Sequence, residues 1–294
     1  MNSTDKKIKE TIAELKEWLD KPTRKEEDYQ KRITEINEEL KSEKLRKSIR
    51  LQFEYLDNWY CNNFVYELLT TNYTTYKVDA CANGCHNLLI SNKLAELYLN
   101  NPPKPAFDKA VYWLANCLSQ KWYKESEILI EIINNGLESK FLDGGWDIKT
   151  ASWFILVIAN NGFQKSVDFS GFNYPEHMGV YQKALDNWDT ENLALLDEIV
   201  SSLCEFHLNE ASNGDLSDIA AKSDPMFFQF SSTRWFVYAF EILAWLSVRE
   251  KRSLRNPEKF SHPLMNIELN KLAKESASMP INELFEKVMD KLNS

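Results

Sequence analysis

Between Asp5 and Leu19 the apolar residues Ile8, Ile12, Leu15 and Leu19 recur three or four positions apart, which predicts an amphipathic helix ending at Lys21-Pro22. A second helical pattern opens after Thr23 and runs through Tyr29, Ile33, Ile36 and Leu40, then continues or restarts through Leu45, Ile49 and Phe53 toward Trp59. The pattern lapses at Asn72-Tyr73-Thr74-Thr75-Tyr76, where a loop or short extended piece is expected, and resumes from Asn87 to Leu99. Asn101-Pro102-Pro103-Lys104-Pro105 cannot continue a helix and reads as a stiff connector, predicting an N-terminal part at 1–103 and a C-terminal part at 104–294. Beyond it, Phe107 to Leu118 and Glu125 to Leu137 form an expected antiparallel pair joined at Lys121-Trp122-Tyr123. A buried helix is expected from Ile148 to Ala159, after a turn at Asp143-Gly144-Gly145 and before a cap at Asn160-Asn161-Gly162. Further helices are expected at His177 to Asp186, Glu191 to Asn209, Ile267 to Lys274 and Ile281 to Leu292, the last with Pro280 in a favourable early position.

The rest of the chain is organised around Phe227 to Asn266. There Trp235, Ala239, Ile242, Leu243 and Leu246 recur at helical spacing, with Phe236, Phe240 and Ala244 forming a second apolar stripe. A helix apolar on two faces belongs inside a protein. The same spacing puts Arg234, Tyr238, Glu241 and Trp245 in one line, so the only acid of this run points from an otherwise apolar rod. A carboxylate there needs a partner, and Tyr238, Arg234 or a donor from a neighbouring helix are the candidates. Glu241 is thereby either an internal bridge or part of the lining of a groove.

Composition narrows the class. Only 8 glycines in 294 residues, with no long alternating runs, argue against a glycine-rich βαβ plan or a sandwich and leave an all-α fold of packed antiparallel helix pairs. No repeat period establishes a solenoid. The N-terminus carries no apolar leader segment, and no apolar run approaches the roughly 20 residues that span a bilayer, so a cytoplasmic protein without membrane association is expected. Five cysteines, odd in number and irregularly spaced, suit reduced thiols.

Charge changes the picture more. Between Glu176 and Asp224 stand eleven acids against two lysines, a net −9 that equals the imbalance of the whole chain. Such a segment repels nucleic-acid phosphate and speeds encounter with a basic partner, or else serves as a solvated face for solubility.

Candidate chemistry is thin. Cys81-Ala82-Asn83-Gly84-Cys85-His86 misses the haem-attachment pattern by one residue, and is read as ordinary thiols near a turn. Cys204, His207 and Glu210 lie three apart and could share a helix face, but further metal ligands are missing, so His207 is expected at or beside the acidic surface and no metal or other cofactor is expected. There is no nucleophile elbow, no phosphate-binding glycine loop and no His-Glu-x-x-His pair, so no catalytic residue is assigned and an enzyme is not expected.

Val237-Tyr238-Ala239-Phe240-Glu241-Ile242, followed by Asn256-Pro257 and His262-Pro263-Leu264, resembles the C-terminal signature of two-part helical immunity proteins that protect bacteria from PoNe-type and related nuclease toxins. The connector at Pro102 to Pro105 is similar to their two-part layout. The resemblance implies an intracellular protein without catalysis that binds a cognate toxin domain, here a basic nuclease, and blocks it. The residues expected to meet the toxin are Asp186, Asp189, Glu191, Asp197, Glu198 and Glu205, with His207, Tyr238, Glu241 and His262. No direct nucleic-acid contact is expected, and a homodimer is left open. The alternative is a helical adaptor that joins partners without inhibiting any of them.

Overall fold

The computed structural model describes residues 2–142, 149–213 and 228–294. Eleven α-helices lie among the described residues, and no strand; one isolated parallel pairing joins Ala211 to Phe230. The fold is all-α, a multi-helix bundle of packed helix pairs. Asn2 starts α1 (Ser3–Asp20) by accepting the Asp5 backbone N–H at 2.8 Å, which satisfies one of the free donors of the first turn. A 3₁₀ turn at Pro22–Arg24 leads into α2 (Glu26–Glu39). Helix α3 (Ile49–Thr71) ends on Asn72 in the left-handed region and packs along α4 (Lys77–Leu97). Helices α5 (Phe107–Ser119) and α6 (Tyr123–Glu138) form the expected hairpin, with Lys121 at φ 57° in the turn. Then follow α7 (Thr150–Gly162), α8 (Val180–Asp186) and α9 (Leu193–Asn209). Helix α10 (Phe240–Lys251) and α11 (Glu283–Asn293) close the chain.

Helix α10 is the centre of the packing: every residue from Phe240 to Arg249 is buried, and the helix lies against α5 and α7. Two glycines permit close approach of helices. A Cβ on Gly162 would fall 2.3 Å from a Val248 methyl of α10, and one on Gly84 of α4 would fall 2.2 Å from the Trp113 ring of α5. Gly162 is therefore the last packed residue of α7 and not a cap; the left-handed residue after the helix is Gln164.

Several elements depart from the sequence reading. The segment before α10 is not helical: Thr233–Trp235 is a 3₁₀ turn, and Val237 to Ala239 is held open by the Asn270 side chain. Asn270 accepts the Ala239 N–H at 3.0 Å and donates to the carbonyls of Val237 and Leu264 at 2.9 Å, doing for this strip what a neighbouring backbone would do. Arg234 and Tyr238 thus do not share a helix face with Glu241. Helix α4 begins ten residues earlier than expected, so Cys81, Cys85 and His86 lie buried within a helix and not at a turn. In place of a helix at Ile267 to Lys274 there is one short 3₁₀ turn, Glu268–Asn270, preceded by another at Pro263–Asn266. α8 starts at Val180, after Gly179 at φ 57°, and α11 starts at Glu283 with Asn282 as its cap, so Pro280 lies before that helix. The turn expected at Asp143-Gly144-Gly145, the helix start at Ile148 and the Phe227 end of the organising stretch lie outside the described residues.

Two apolar clusters fill the interior. The larger joins Leu15, Phe64 and Leu88 to Trp113, Phe154, Leu203 and α10, crossing the proline connector. The smaller joins Ile36, Phe53 and Leu94 to Phe285, Val288 and Leu292 of α11, so the end of the chain packs among its beginning.

Candidate functional site

Helix α9 divides its residues sharply. Leu196, Ile199, Val200, Leu203, Cys204, His207 and Leu208 face the core, while Glu198, Ser202 and Glu205 face solvent. The apolar stripe at helical spacing orients the helix, and the acids take what is left. Asp186 at the end of α8, Asp189 and Glu191 in the following loop, and Glu176 before α8 are exposed as well. Asp197 and Glu210 are half-buried, and Asp215, Asp218 and Asp224 lie outside the described residues.

These acids stand on fixed supports. Asp197 accepts the Ser261 backbone N–H at 2.8 Å, the hydroxyls of Ser201 and Ser261 are 3.0 Å apart, and Glu205 lies 3.0 Å from His262 Nε2. The Ser261-His262 segment is thereby fastened along α9. His262, itself nearly buried, accepts the Leu264 N–H through Nδ1, so its Nε2 carries the proton given to Glu205. Asp197 and Glu205 spend an oxygen each on this internal role. Lys183 and Glu198, 2.6 Å apart and both exposed, link α8 to α9 with little net energy.

The loop carrying Asp189 and Glu191 is held from beneath by Arg249, a residue to which the sequence reading gave no role. Its guanidinium is fully buried and donates to the carbonyls of Trp188 at 3.0 Å, Thr190 at 2.7 Å and Arg255 at 3.0 Å, and to Asn256 Oδ1 at 3.1 Å. Trp245 adds its indole N–H to the Trp188 carbonyl at 2.9 Å. Burial pulls the Arg249 pKa down, and the neighbouring Asp189 charge opposes that. Asn256 in turn donates to the Leu246 carbonyl and to Glu250. The one signal in the sequence was Asn256-Pro257, whose Asn supplies an acceptor to the arginine. Glu191, Ser253, Leu254 and Arg255 border a cleft of about 270 Å³ beside this loop.

His207, Tyr238 and Glu241 are corrected from contact residues to internal supports, because all three are wholly buried. Glu241 is paired by a neighbouring helix: His207 Nδ1 lies 2.8 Å from Glu241 Oε1, and His207 Nε2 lies 2.7 Å from the Trp235 carbonyl. A carbonyl only accepts, so Nε2 carries a proton. The Nδ1 contact ties the imidazole to the Glu241 carboxyl group. Phe230 stacks on the imidazole at 3.9 Å. With both ring nitrogens engaged, His207 has no lone pair left for a metal, and no group of three metal-ligating side chains occurs among the described residues. Tyr238 donates to Asn116 Oδ1 at 2.9 Å.

The Cys81 to His86 stretch is also internal. Burial pushes the Cys81 thiol up to about 12 and the Cys85 thiol well above its ordinary value, which makes both poor nucleophiles. All five cysteines are free and buried, and no helix among the described residues is long and apolar enough to cross a membrane.

Comparison of the chain with family models, curated proteins and solved structures found no match.

Proposed function

We propose that this chain is an immunity protein that binds a basic antibacterial nuclease domain and neutralises it by covering the catalytic or nucleic-acid-binding surface of that toxin. The observation that carries the reading is the confinement of the net −9 charge to Glu176–Asp224, with Asp186, Asp189, Glu191, Glu198 and Glu205 exposed. An acidic face kept only for solubility needs no defined geometry. Here Arg249 fixes the loop of Asp189 and Glu191, while Ser261 and His262 fix the exposed edge of α9. Fixed charges are what electrostatic recognition of a basic surface requires, since little side-chain or loop freedom is lost on docking. The resemblance of the Val237–Ile242, Asn256-Pro257 and His262-Pro263-Leu264 residues to helical immunity proteins supports the same reading.

The test uses the toxin domain encoded beside this gene. One equivalent of the chain is expected to form a one-to-one complex by calorimetry and to abolish digestion of DNA or RNA by that domain. A complex that leaves digestion unchanged would favour the adaptor reading, and no complex at micromolar concentrations would exclude the proposal.

A further inference from the structure

The turn Pro22–Arg24, α3 and the 3₁₀ turn Thr233–Trp235 border a cavity of about 210 Å³. At about 30 Å³ per water, that is room for several waters or one small polyatomic group. Among the described residues that line it, two are arginines, Arg24 and Arg234, and none is a carboxylate; the others are Leu15, Trp18, two asparagines, Ser232 and Thr233.

Both guanidiniums are set in place without using all their donors. The carbonyls of Thr23 and Arg24 accept hydrogen bonds from Tyr55 at 2.7 Å and Trp59 at 3.1 Å, which pin the turn to α3. The Arg24 guanidinium then lies over the Trp18 ring at 4.8 Å and the Tyr55 ring at 5.4 Å. Arg234 is 95% buried, its exposure being 5%, and donates through Nη1 to Asn58 Oδ1. The Nε atoms of both arginines are buried and have no hydrogen-bond partner among the described residues. Such donors are costly to leave unpaired, and a guanidinium edge presents Nε–H and Nη–H side by side to an oxyanion.

Among the described residues, the nearby acids have other partners as well. Asp57 faces Arg234 from α3 and favours its charge, while its two oxygens also accept from the Trp113 indole and the Cys61 thiol. Glu14 is engaged with Thr233 at 2.7 Å and Asn213 at 3.0 Å.

We infer that this cavity is a binding site for a small tetrahedral oxyanion, phosphate either free or as the terminal group of a small phosphate ester, held between Arg24 and Arg234. Cationic edges on separate elements suit a group with oxygens on several sides better than a carboxylate, whose two oxygens lie in one plane. The bound anion braces the N-terminal arm against the segment leading into α10. The site is independent of the docking surface and does not rest on the immunity reading.

The experiment is a titration of the full chain, at constant ionic strength held with chloride, with inorganic phosphate, adenosine monophosphate and acetate, followed by calorimetry and phosphorus NMR. Phosphate or the nucleotide is expected to bind in a saturable way with Kd of about 1 mM or tighter, and acetate at least tenfold more weakly. Tighter binding of the nucleotide than of phosphate assigns the ester as the ligand, and the reverse assigns the free ion. Arg24→Met keeps the contact with Trp18 and is expected to weaken binding tenfold or more without lowering the melting temperature in chloride. Arg234→Lys keeps a charge beside Asp57 and is expected to weaken binding similarly, while Lys41→Met, an exposed cation on the N-terminal arm, leaves it unchanged. Failure of phosphate and nucleotide to saturate below about 10 mM, equal binding of acetate, or unaltered binding by a folded Arg24→Met protein would each overturn the inference.

Discussion

Glu241 stands in the first turn of α10 with no exposure to water, and its stability depends on one imidazole from another helix. Removing one partner of a buried charged pair leaves the other uncompensated, a cost of about 3–5 kcal/mol. Glu241→Ala is expected to lose that much stability in a denaturant melt, while Glu241→Leu combined with His207→Phe loses less than the two single changes added together. An additive result would mean that the two side chains do not act as a pair. Gly84 gives a second residue-scale expectation. A methyl there meets the Trp113 ring, whose N–H donates to Asp57 at 3.2 Å, so Gly84→Ala should cost about 1–3 kcal/mol despite the better helix propensity of alanine. An unchanged or raised melting temperature would show that the ring gives way freely. That Glu241 needs a partner was legible from one acid in an apolar run. That the partner is His207, 34 positions away, was not, because spacing reports only neighbours on the same helix.

At the scale of elements, legibility followed amphipathicity. α1 and α6 bury one stripe and were placed to within a few residues; α5 was placed as closely although every residue from Ala110 to Ser119 is buried, because the proline connector and the Lys121 turn bound it. The first half of α4 buries Ala80, Asn83, Gly84, Cys85 and His86 on several sides at once, so no stripe marks it and its start was read as a turn. The open strip before α10 was missed because Asn270, some thirty residues on, shapes it. α4 also carries an element-scale prediction. His86 stacks on Phe285 of α11 at 4.0 Å, and burial lowers its pKa from 6.5 to about 4 despite the opposing effect of the Pro280 carbonyl. Between those values the unfolded chain binds a proton that the folded chain refuses, so stability falls as pH drops from about 6.5 toward 4. The loss from this group should approach about 3 kcal/mol, and His86→Leu should remove that part of the pH dependence. Parallel stability-versus-pH curves for the two proteins would contradict the assignment. Arg249→Met tests the other support: it leaves the Thr190 and Arg255 carbonyls without their donor, so a loss of about 3 kcal/mol is expected, with faster amide exchange across residues 187–192.

At the scale of the whole molecule, the all-α class followed from scarce glycine and helical spacing, but the arrangement did not. The proline connector reads as a boundary in sequence, yet apolar side chains from both sides meet in one cluster, and α11 returns to the N-terminal helices. The charge asymmetry was fully legible, because counting needs no geometry; which acids are spent on internal bonds was not. Asp28 illustrates the point. It stands in α2 and binds the Tyr55 hydroxyl and approaches Arg32, whereas Glu17, Glu27 and Glu43, also in the N-terminal part, are exposed.

The most direct measurement is the association rate with the basic toxin domain encoded beside the gene, followed across ionic strength for the parent and for two triple charge reversals. Asp186, Asp189 and Glu191 changed to lysine should slow association by about tenfold or more and flatten its salt dependence, because exposed charges act on the encounter over a screening length of about 8 Å at physiological salt. Glu17, Glu27 and Glu43 changed to lysine should do much less, with both variants melting near the parent temperature. Equal effects from the two sets, or none from either, would contradict the account and leave the acidic segment as a solubility surface.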